Sequence, residues 1–200
     1  MASIYQLKPA FQNLLRPLVQ RLASAGVTAN QVTVFACLVS VGVGALVWFF
    51  PQKQALWWLI PLVFPIRMAL NAIDGMLARE HNMKSNLGAI LNELTDVISD
   101  IALYLPFMQI VLRPEWVAGA VLLAMLTEMT GVIGVQIGAS RRYDGPMGKS
   151  DRAFVFGVLG VVAAINPNLV SLFDIPMVLV NLSLVVTVVN RARKALKEVS

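Results

Sequence analysis

Apolar residues along this chain fall in long unbroken runs, with neither the alternation of a half-buried strand nor the narrow stripe of a soluble surface helix. Six runs can be drawn, at about 32–50, 55–78, 88–112, 116–139, 153–170 and 175–190. A spanning helix needs roughly 20 apolar residues, so each run is long enough or nearly so. The breaks between them are polar or rich in Pro and Gly: Pro51-Gln52-Lys53, residues 79–87, Arg113-Pro114-Glu115, residues 140–152 and Asn166-Pro167-Asn168. The pattern predicts an all-α polytopic membrane protein with six transmembrane helices. It forms a single membrane domain over 1–200, with a cytoplasmic segment over 1–30, a bundle over 31–197 and no room for a second globular unit. Within the first 30 residues, Ile4, Leu7, Phe11, Leu14, Leu15, Leu18 and Leu22 recur at three and four positions, with Lys8, Arg16, Gln20 and Arg21 between them. This predicts an amphipathic helix bent or restarted near Pro17, lying in the membrane interface or packed on a neighbouring subunit.

Composition narrows the class without moving the elements. Hydrophobic residues make up 58% of the chain, charged residues 14%, and mean hydropathy is +0.72. A soluble domain carries about 25% charged residues. Disorder is excluded by the hydrophobicity, and a disulfide scaffold by the lone cysteine, Cys37. A net charge of +5 would point to nucleic acid in a soluble chain, but no aromatic residues interleave the basic ones, so no nucleic-acid partner is expected. The cations instead set topology. Thirteen of the sixteen Lys and Arg lie in the N-terminus, the second and fourth loops and the C-terminal tail. That asymmetry places both termini and both long loops in the cytoplasm of an inner (plasma) membrane protein. The first apolar run begins too late for a secretory signal. Trp57, Trp58 and Trp116 are expected in an interfacial belt, and Pro61, Pro65 and Pro106 at helix kinks.

The chemistry is expected where lipid should be, because a polar side chain inside a span costs several kcal/mol unless it is paired or hydrated. Arg67, Asn71, Asp74 and Ala78 share a narrow arc of the second span; Asn92, Asp96 and Asp100 share one face of the third, with Glu93 at its edge. Counted from the cytoplasmic ends, Asp74 and Asn92 lie roughly 6 Å deep, Asn71 and Asp96 roughly 10–12 Å, and Arg67 and Asp100 roughly 16–18 Å. The outer tiers hold only carboxylates and amides, which suits Mg²⁺ or Mn²⁺. The deepest tier predicts a structural ion cluster of Arg67, Asp100 and Glu128. Polar glue between helices would explain two or three such residues, not eight in tiers.

Read from Asn71 to Asp96, the string N-A-I-D-G-M-L-A-R-E-H-N-M-K-S-N-L-G-A-I-L-N-E-L-T-D resembles the signature of the CDP-alcohol phosphotransferases, D-x-x-D-G-x-x-A-R-x8-G-x3-D-x3-D. Asp74-Gly75, Ala78-Arg79, Gly88 and Asp96 match in identity and spacing, and the entry Thr28 to Thr33 is similar too. The resemblance implies transfer of a phosphatidyl group from CDP-diacylglycerol to a small polar alcohol or polyol phosphate, with release of CMP. It implies Asp96 as the catalytic base, one or two Mg²⁺ or Mn²⁺ ions at Asn71, Asp74, Asn92 and Asp96, and a homodimer. Gly75, Ala78, Arg79 and Gly88 are then the nucleotide and pyrophosphate site: small residues admit the ligand to the helix backbone and an arginine takes phosphate oxygens. Asn71 and Asn92 stand where the signature has aspartate, so the ligand set loses two negative charges. A two-ion site then becomes a one-ion or weaker site unless Glu93 or Asp100 restores charge.

The fourth loop, Arg141 to Arg152, contains Gly148-Lys149 without the strand or spacing of a P-loop. Lys149 and Arg152, with Arg191 from the last span, are candidate acceptor-binding residues; topogenic charge and contact with anionic lipid explain Arg141, Arg142, Arg193, Lys194 and Lys197. Three other functions remain open at this level. They are an aminoalcohol phosphotransferase with a CDP-headgroup donor, a catalytically silent lipid-binding homologue and a transporter using the intramembrane carboxylates.

Overall fold

A computed structural model describes the backbone of residues 4–200 and side chains from residue 10 onward; the side chains of Ile4, Leu7 and Lys8 lie outside the described residues. Seven α-helices follow one another: α1 Ile4–Ser24, α2 Ala29–Phe49, α3 Leu59–Glu80, α4 Asn86–Tyr104, α5 Pro114–Gln136, α6 Lys149–Ile165 and α7 Asp174–Val199. Short 3-10 turns at Gln54–Trp58, Leu105–Gln109 and Pro167–Leu172 complete the far end of the bundle. Among the described residues there is no strand. Local chemistry starts the helices. Thr28 caps α2, its hydroxyl accepting from Gln31 N at 3.3 Å while Gln31 Oε1 accepts from Thr28 N at 2.9 Å. Ser85 caps α4, accepting from Gly88 N at 3.0 Å, and Asp151 takes the Gly148 N–H at 2.9 Å at the head of α6.

Four segments are long and apolar enough to cross a membrane: Ala29–Phe49, Gln54–Glu80, Pro114–Gln136 and Asp174–Val199. The other two predicted spans form helices of the same bundle without meeting that standard. α4 carries Glu93, Asp96 and Asp100, and α6 has only 17 residues. The third predicted span also stops short, because α4 gives way at Leu105 to a 3-10 turn containing Pro106. Pro65 lies inside α3, whereas Pro61 sits in its first turn, where no N–H is needed. Trp57 departs from the expected belt. It is 2% exposed, donates to Pro51 O at 2.9 Å and packs edge-on against Phe107, so it belongs to the core. Trp58 is exposed as expected.

α2 is the hub, packing on both α3 and α4; α5 packs on α7 and α4, and α6 lies against α3. Gly44 makes the α2–α4 approach possible, since a Cβ there would run into the Ala102 carbonyl. The polar stripes of α3 and α4 meet, Arg67 bonding to Asp96 and Asp100 and Asn71 to Asp96, while the apolar packing of both helices is mainly on α2. At the far end Tyr104 stacks on Phe156 at 3.9 Å and Phe107 meets Phe156 edge-on at 5.2 Å, closing the bundle with aromatic rings. The outer surface is apolar, with Leu38, Leu62, Leu122, Phe154 and Leu182 all exposed, as lipid contact requires. α1 divides its apolar face. Leu15, Val19 and Leu22 pack on Ile73, Met76 and Leu77 of α3, while Phe11, Leu14 and Leu18 remain exposed. An ion pair from Arg16 to Glu80 at 3.0 Å pins the polar side.

Candidate active site

Two adjoining clefts open beside α3 and α4. The first, about 480 Å³, is lined by Asn30, Thr33, Asp74, Gly75, Ala78, Arg79, Lys84 and Gly88 among others. The second, about 650 Å³, is lined by Glu93, Asp96, Glu128, Arg141, Lys149 and Arg191 among others. Asn71 and Asn92 belong to both walls, so they mark where the clefts meet. The heads of α2 and α4 border the first cleft and the head of α6 borders the second. The positive ends of three helix dipoles thus border the clefts, which favours anions there.

In the first cleft the predicted nucleotide residues come together. Arg79 folds back along α3 so that its guanidinium lies over Gly75, where a Cβ would stand 3.1 Å from Nη1. Gly88 is held against Asn30, whose Oδ1 would lie 2.8 Å from a Cβ added there. Asp74 is 6% exposed and accepts from the Thr33 hydroxyl at 2.8 Å. Among the described residues no carboxylate pairs with Arg79 or Lys84 (contrast every arginine of the second cleft). Lys84 was not singled out from the sequence, and Thr33 figured there only as the end of the Thr28 to Thr33 entry, with no role of its own. A threonine one turn into an apolar run reads as ordinary helix, and only the fold shows it reaching α3.

In the second cleft Asp96 is a hub. Its Oδ1 lies 2.5 Å from Lys149 Nζ and accepts from Asn71 Nδ2 at 3.2 Å and from Arg67 Nη2 at 3.3 Å. Behind it the charges alternate. Arg67 reaches Asp100 at 2.5 Å, Asp100 reaches Arg152 at 2.8 Å, and Arg152 reaches Glu128 at 2.9 Å. Glu128 in turn meets Arg141 at 3.0 Å and Arg191 at 3.4 Å, and Arg141 forks onto Glu93 at 2.5 and 2.6 Å. The cluster of Arg67, Asp100 and Glu128 therefore exists only through Arg152, which joins its two halves. Arg152, a candidate for acceptor binding, is 1% exposed and sits in this cluster instead of the cleft wall. Arg191 does line the cleft, but it is tied to Glu128 and to the carbonyls of Thr127 and Asp144. Arg141, read as topogenic, stands in the wall with its guanidinium 4.6 Å from the Tyr143 ring. No local pattern could have shown this, because its partners come from α4 and α5.

The loop carrying these groups is anchored to α7. Met147 N donates to Thr187 Oγ1 at 3.0 Å. Gly145, at φ +124°, lies so close to Thr187 that an added Cβ would meet its Cγ2 at 2.6 Å. Asp144 bridges Lys194 at 2.7 Å and Arg142 at 2.8 Å. The Lys194 ammonium first, then the Arg142 guanidinium, hold its carboxyl below the usual carboxylate range.

This arrangement can be set beside known proteins. The family model for CDP-alcohol phosphatidyltransferase matches residues 26–189, which includes every cleft residue named above except Arg191. The chain belongs to the CDP-alcohol phosphatidyltransferase family. As a phosphatidyltransferase it moves a phosphatidyl group from a CDP-linked donor to a polar alcohol and releases CMP. An Escherichia coli K12 relative, inner membrane protein YnbA, is 46% identical over 198 residues, covering 97% of this chain and 96% of that protein. The phosphatidylinositol phosphate synthase of Mycobacterium marinum is 31% identical over 102 residues, 48% of this chain and 40% of its own length. Crystal structures of the Mycobacterium tuberculosis phosphatidylinositol phosphate synthase PgsA1 share the fold. The form with CDP-DAG bound has a TM-score of 0.73 at 19% identity, covering 90% of this chain and 92% of that one. The complex with manganese and citrate also scores 0.73, at 22% identity over 90% and 88%.

Proposed function

We propose that the two clefts divide the substrates of one transfer reaction, with CDP-diacylglycerol in the first and a small polar alcohol in the second. The observation that carries this is their meeting line at Asn71 and Asn92, with unpaired Arg79 and Lys84 on one side and Asp96 on the other. Arg79 and Lys84 have no acid to leave before they take the pyrophosphate oxygens, and the head of α4 adds N–H donors. Gly75 and Ala78 let the nucleotide approach the backbone of α3. The second cleft is polar and charged, which suits a water-soluble acceptor and places the lipid on the donor. Its lining sets Arg141, Lys149 and Arg191 against Glu93, Asp96, Glu128 and Asp151, so hydroxyl groups find both donors and acceptors. Asp96, at the junction, accepts the acceptor's hydroxyl proton, and the oxygen then attacks the phosphorus of the phosphatidyl group as CMP leaves. Lys149, Asn71 and Arg67 all bind its Oδ1 and so fix the direction of the carboxylate.

Divalent metal belongs to this reading, since the M. tuberculosis relative was crystallised with manganese. Asp74 and Asp96 with the carbonyls of Asn71 and Asn92 form an oxygen set that suits one hard cation, and they do not suit two. Such an ion would neutralise charge on the pyrophosphate. The reading also includes six spans, both termini in the cytoplasm of a bacterial inner membrane, and a homodimer. Reporter fusions at each terminus and cross-linking in membranes test those features.

The deciding experiment is CMP release by detergent-purified protein from CDP-diacylglycerol across polyols, amino alcohols and polyol phosphates, with Asp96→Asn beside the wild type. Release that needs both an acceptor and Asp96 is expected. Donor binding without release on any acceptor would point to the silent homologue.

A further inference from the structure

We infer that this site holds a single divalent cation, and that the ammonium of Lys149 stands as a built-in charge where a second ion would neutralise Asp96. The inference deepens the reading of the clefts above and rests on it. Four side chains form the candidate ligand set, and only Asp74 and Asp96 are charged; an asparagine carbonyl is a neutral donor. Among the described residues no group of three or more His, Cys, Asp or Glu side chains is placed to hold a metal ion.

The two residues that could have restored the missing charge are already engaged. Glu93 is forked onto Arg141 at 2.5 and 2.6 Å. Asp100 is shared between Arg67 at 2.5 Å and Arg152 at 2.8 Å, wholly inside the bundle. Asp100 cannot turn to the junction without breaking its bonds to two buried arginines, and Glu93 would have to give up both hydrogen bonds of its fork on half-buried Arg141.

Asp96 itself is also occupied. Lys149, Asn71 and Arg67 converge on Oδ1, so a second dication at that oxygen would meet two cations and an amide N–H. Asn71 spends its amide nitrogen on Asp96, which leaves its carbonyl for an ion shared with Asp74. Lys149 is no wandering surface lysine. It is the first residue of α6, whose positive helix end adds to the repulsion of a second ion. The sequence changes and the ion pair are thus two parts of one device: the asparagines remove the ligands of a second metal, and the lysine supplies part of its charge.

The count can be read without turnover. Detergent-purified protein with CDP-diacylglycerol is titrated with Mn²⁺, and the free ion is followed by electron paramagnetic resonance. The wild type should bind one ion per chain. The double variant Asn71→Asp/Asn92→Asp should bind a second, and adding Lys149→Gln should tighten that second ion roughly tenfold, as the charge of a ligand set tunes affinity. If the double variant does not fold, Asn92→Asp with Lys149→Gln serves instead, since Asn92 is exposed; the second ion is required there too. Two ions or none in the wild type would overturn the inference, as would one ion in every variant. One ion with no CMP release would instead defeat the proposed reaction and leave the ion count standing.

Discussion

Both clefts are lined with cations, but the cations are held in opposite ways. On the α2–α3–α4 side Arg79 and Lys84 have no acidic partner among the described residues, and Arg79 simply lies over Gly75. On the α5–α6–α7 side Arg141, Arg152, Arg191 and Lys149 are each bonded to Glu93, Asp96, Asp100 or Glu128. A free cation can take a phosphate without losing anything it already has. A paired one must either break a bond or keep it, so its contribution is to hold geometry. The first side is therefore free to take an anionic ligand, and on the second the paired cations hold the shape of the cleft proposed for the acceptor. The same residue types, in one protein and at one membrane face, do different work because of what stands beside them.

The largest effect that follows is on folding. Arg152 joins Asp100 to Glu128 at 1% exposure, so Arg152→Met removes one charged partner from each, leaving Asp100 to Arg67 and Glu128 to Arg141 and Arg191, and should cost about 1.5–3 kcal/mol, read as a loss of thermal stability in detergent. Arg79→Ala should do the reverse. Stability should stay within about 0.5 kcal/mol of wild type, since among the described residues that guanidinium makes no ion pair and only lies over Gly75. Affinity for CDP-diacylglycerol should fall roughly ten- to a hundredfold, the worth of one charged hydrogen-bonding group at about 1.5–3 kcal/mol. If Arg152→Met melts like the wild type, or if Arg79→Ala unfolds the protein, the contrast between the two sides fails.

The two sides also differ in how much of them the sequence announces. Asp74-Gly75, Ala78-Arg79, Gly88 and Asp96 lie within 26 residues across one turn, so helix period and spacing place them on facing surfaces. The scaffold of the second side draws its charges from five helices, α3 to α7, and from Arg141 in the loop before α6. No local period relates Arg67 to Glu128 or Arg152, and their depth alone could group them only loosely. Arg152 stands four residues after Gly148 in a loop that reads as phosphate-binding, yet the turn into α6 carries it inward. The helices themselves were legible from apolar runs. The part α2 plays in the wall of the first cleft, through Asn30 and Thr33, was not, because helical phase says which face is polar and not what stands beside it.

Between ligand and scaffold lies the loop from Ser140 to Gly148, and it offers a smaller test. Gly145→Ala puts a Cβ into Thr187 at a backbone angle that only glycine adopts readily, at a cost of about 1–2 kcal/mol. The strain falls on the second cleft, so KM for the acceptor should rise several-fold while CDP-diacylglycerol affinity is unchanged. An equal loss on both substrates would mean that the loop serves both clefts.

The smallest effect is electrostatic and confined to the outer edge of that loop. Asp144 is held below the usual carboxylate range by Lys194, at 2.7 Å, and by Arg142. A carboxyl lowered in the folded state adds stability above its unfolded pKa of about 4, and that contribution disappears as pH falls through the folded value. Asp144→Asn should therefore trail the wild type slightly from about pH 4 upward, and the difference should vanish as pH falls through the lowered folded value. The pair is largely open to solvent, so salt should shrink the difference, whereas the buried contacts of Arg152 should hardly respond to it. Thermal melts of the wild type, Asp144→Asn and Arg152→Met at low and high ionic strength separate the two kinds of pairing. A salt-insensitive loss in Asp144→Asn would mean that the loop's outer edge belongs to the buried scaffold after all.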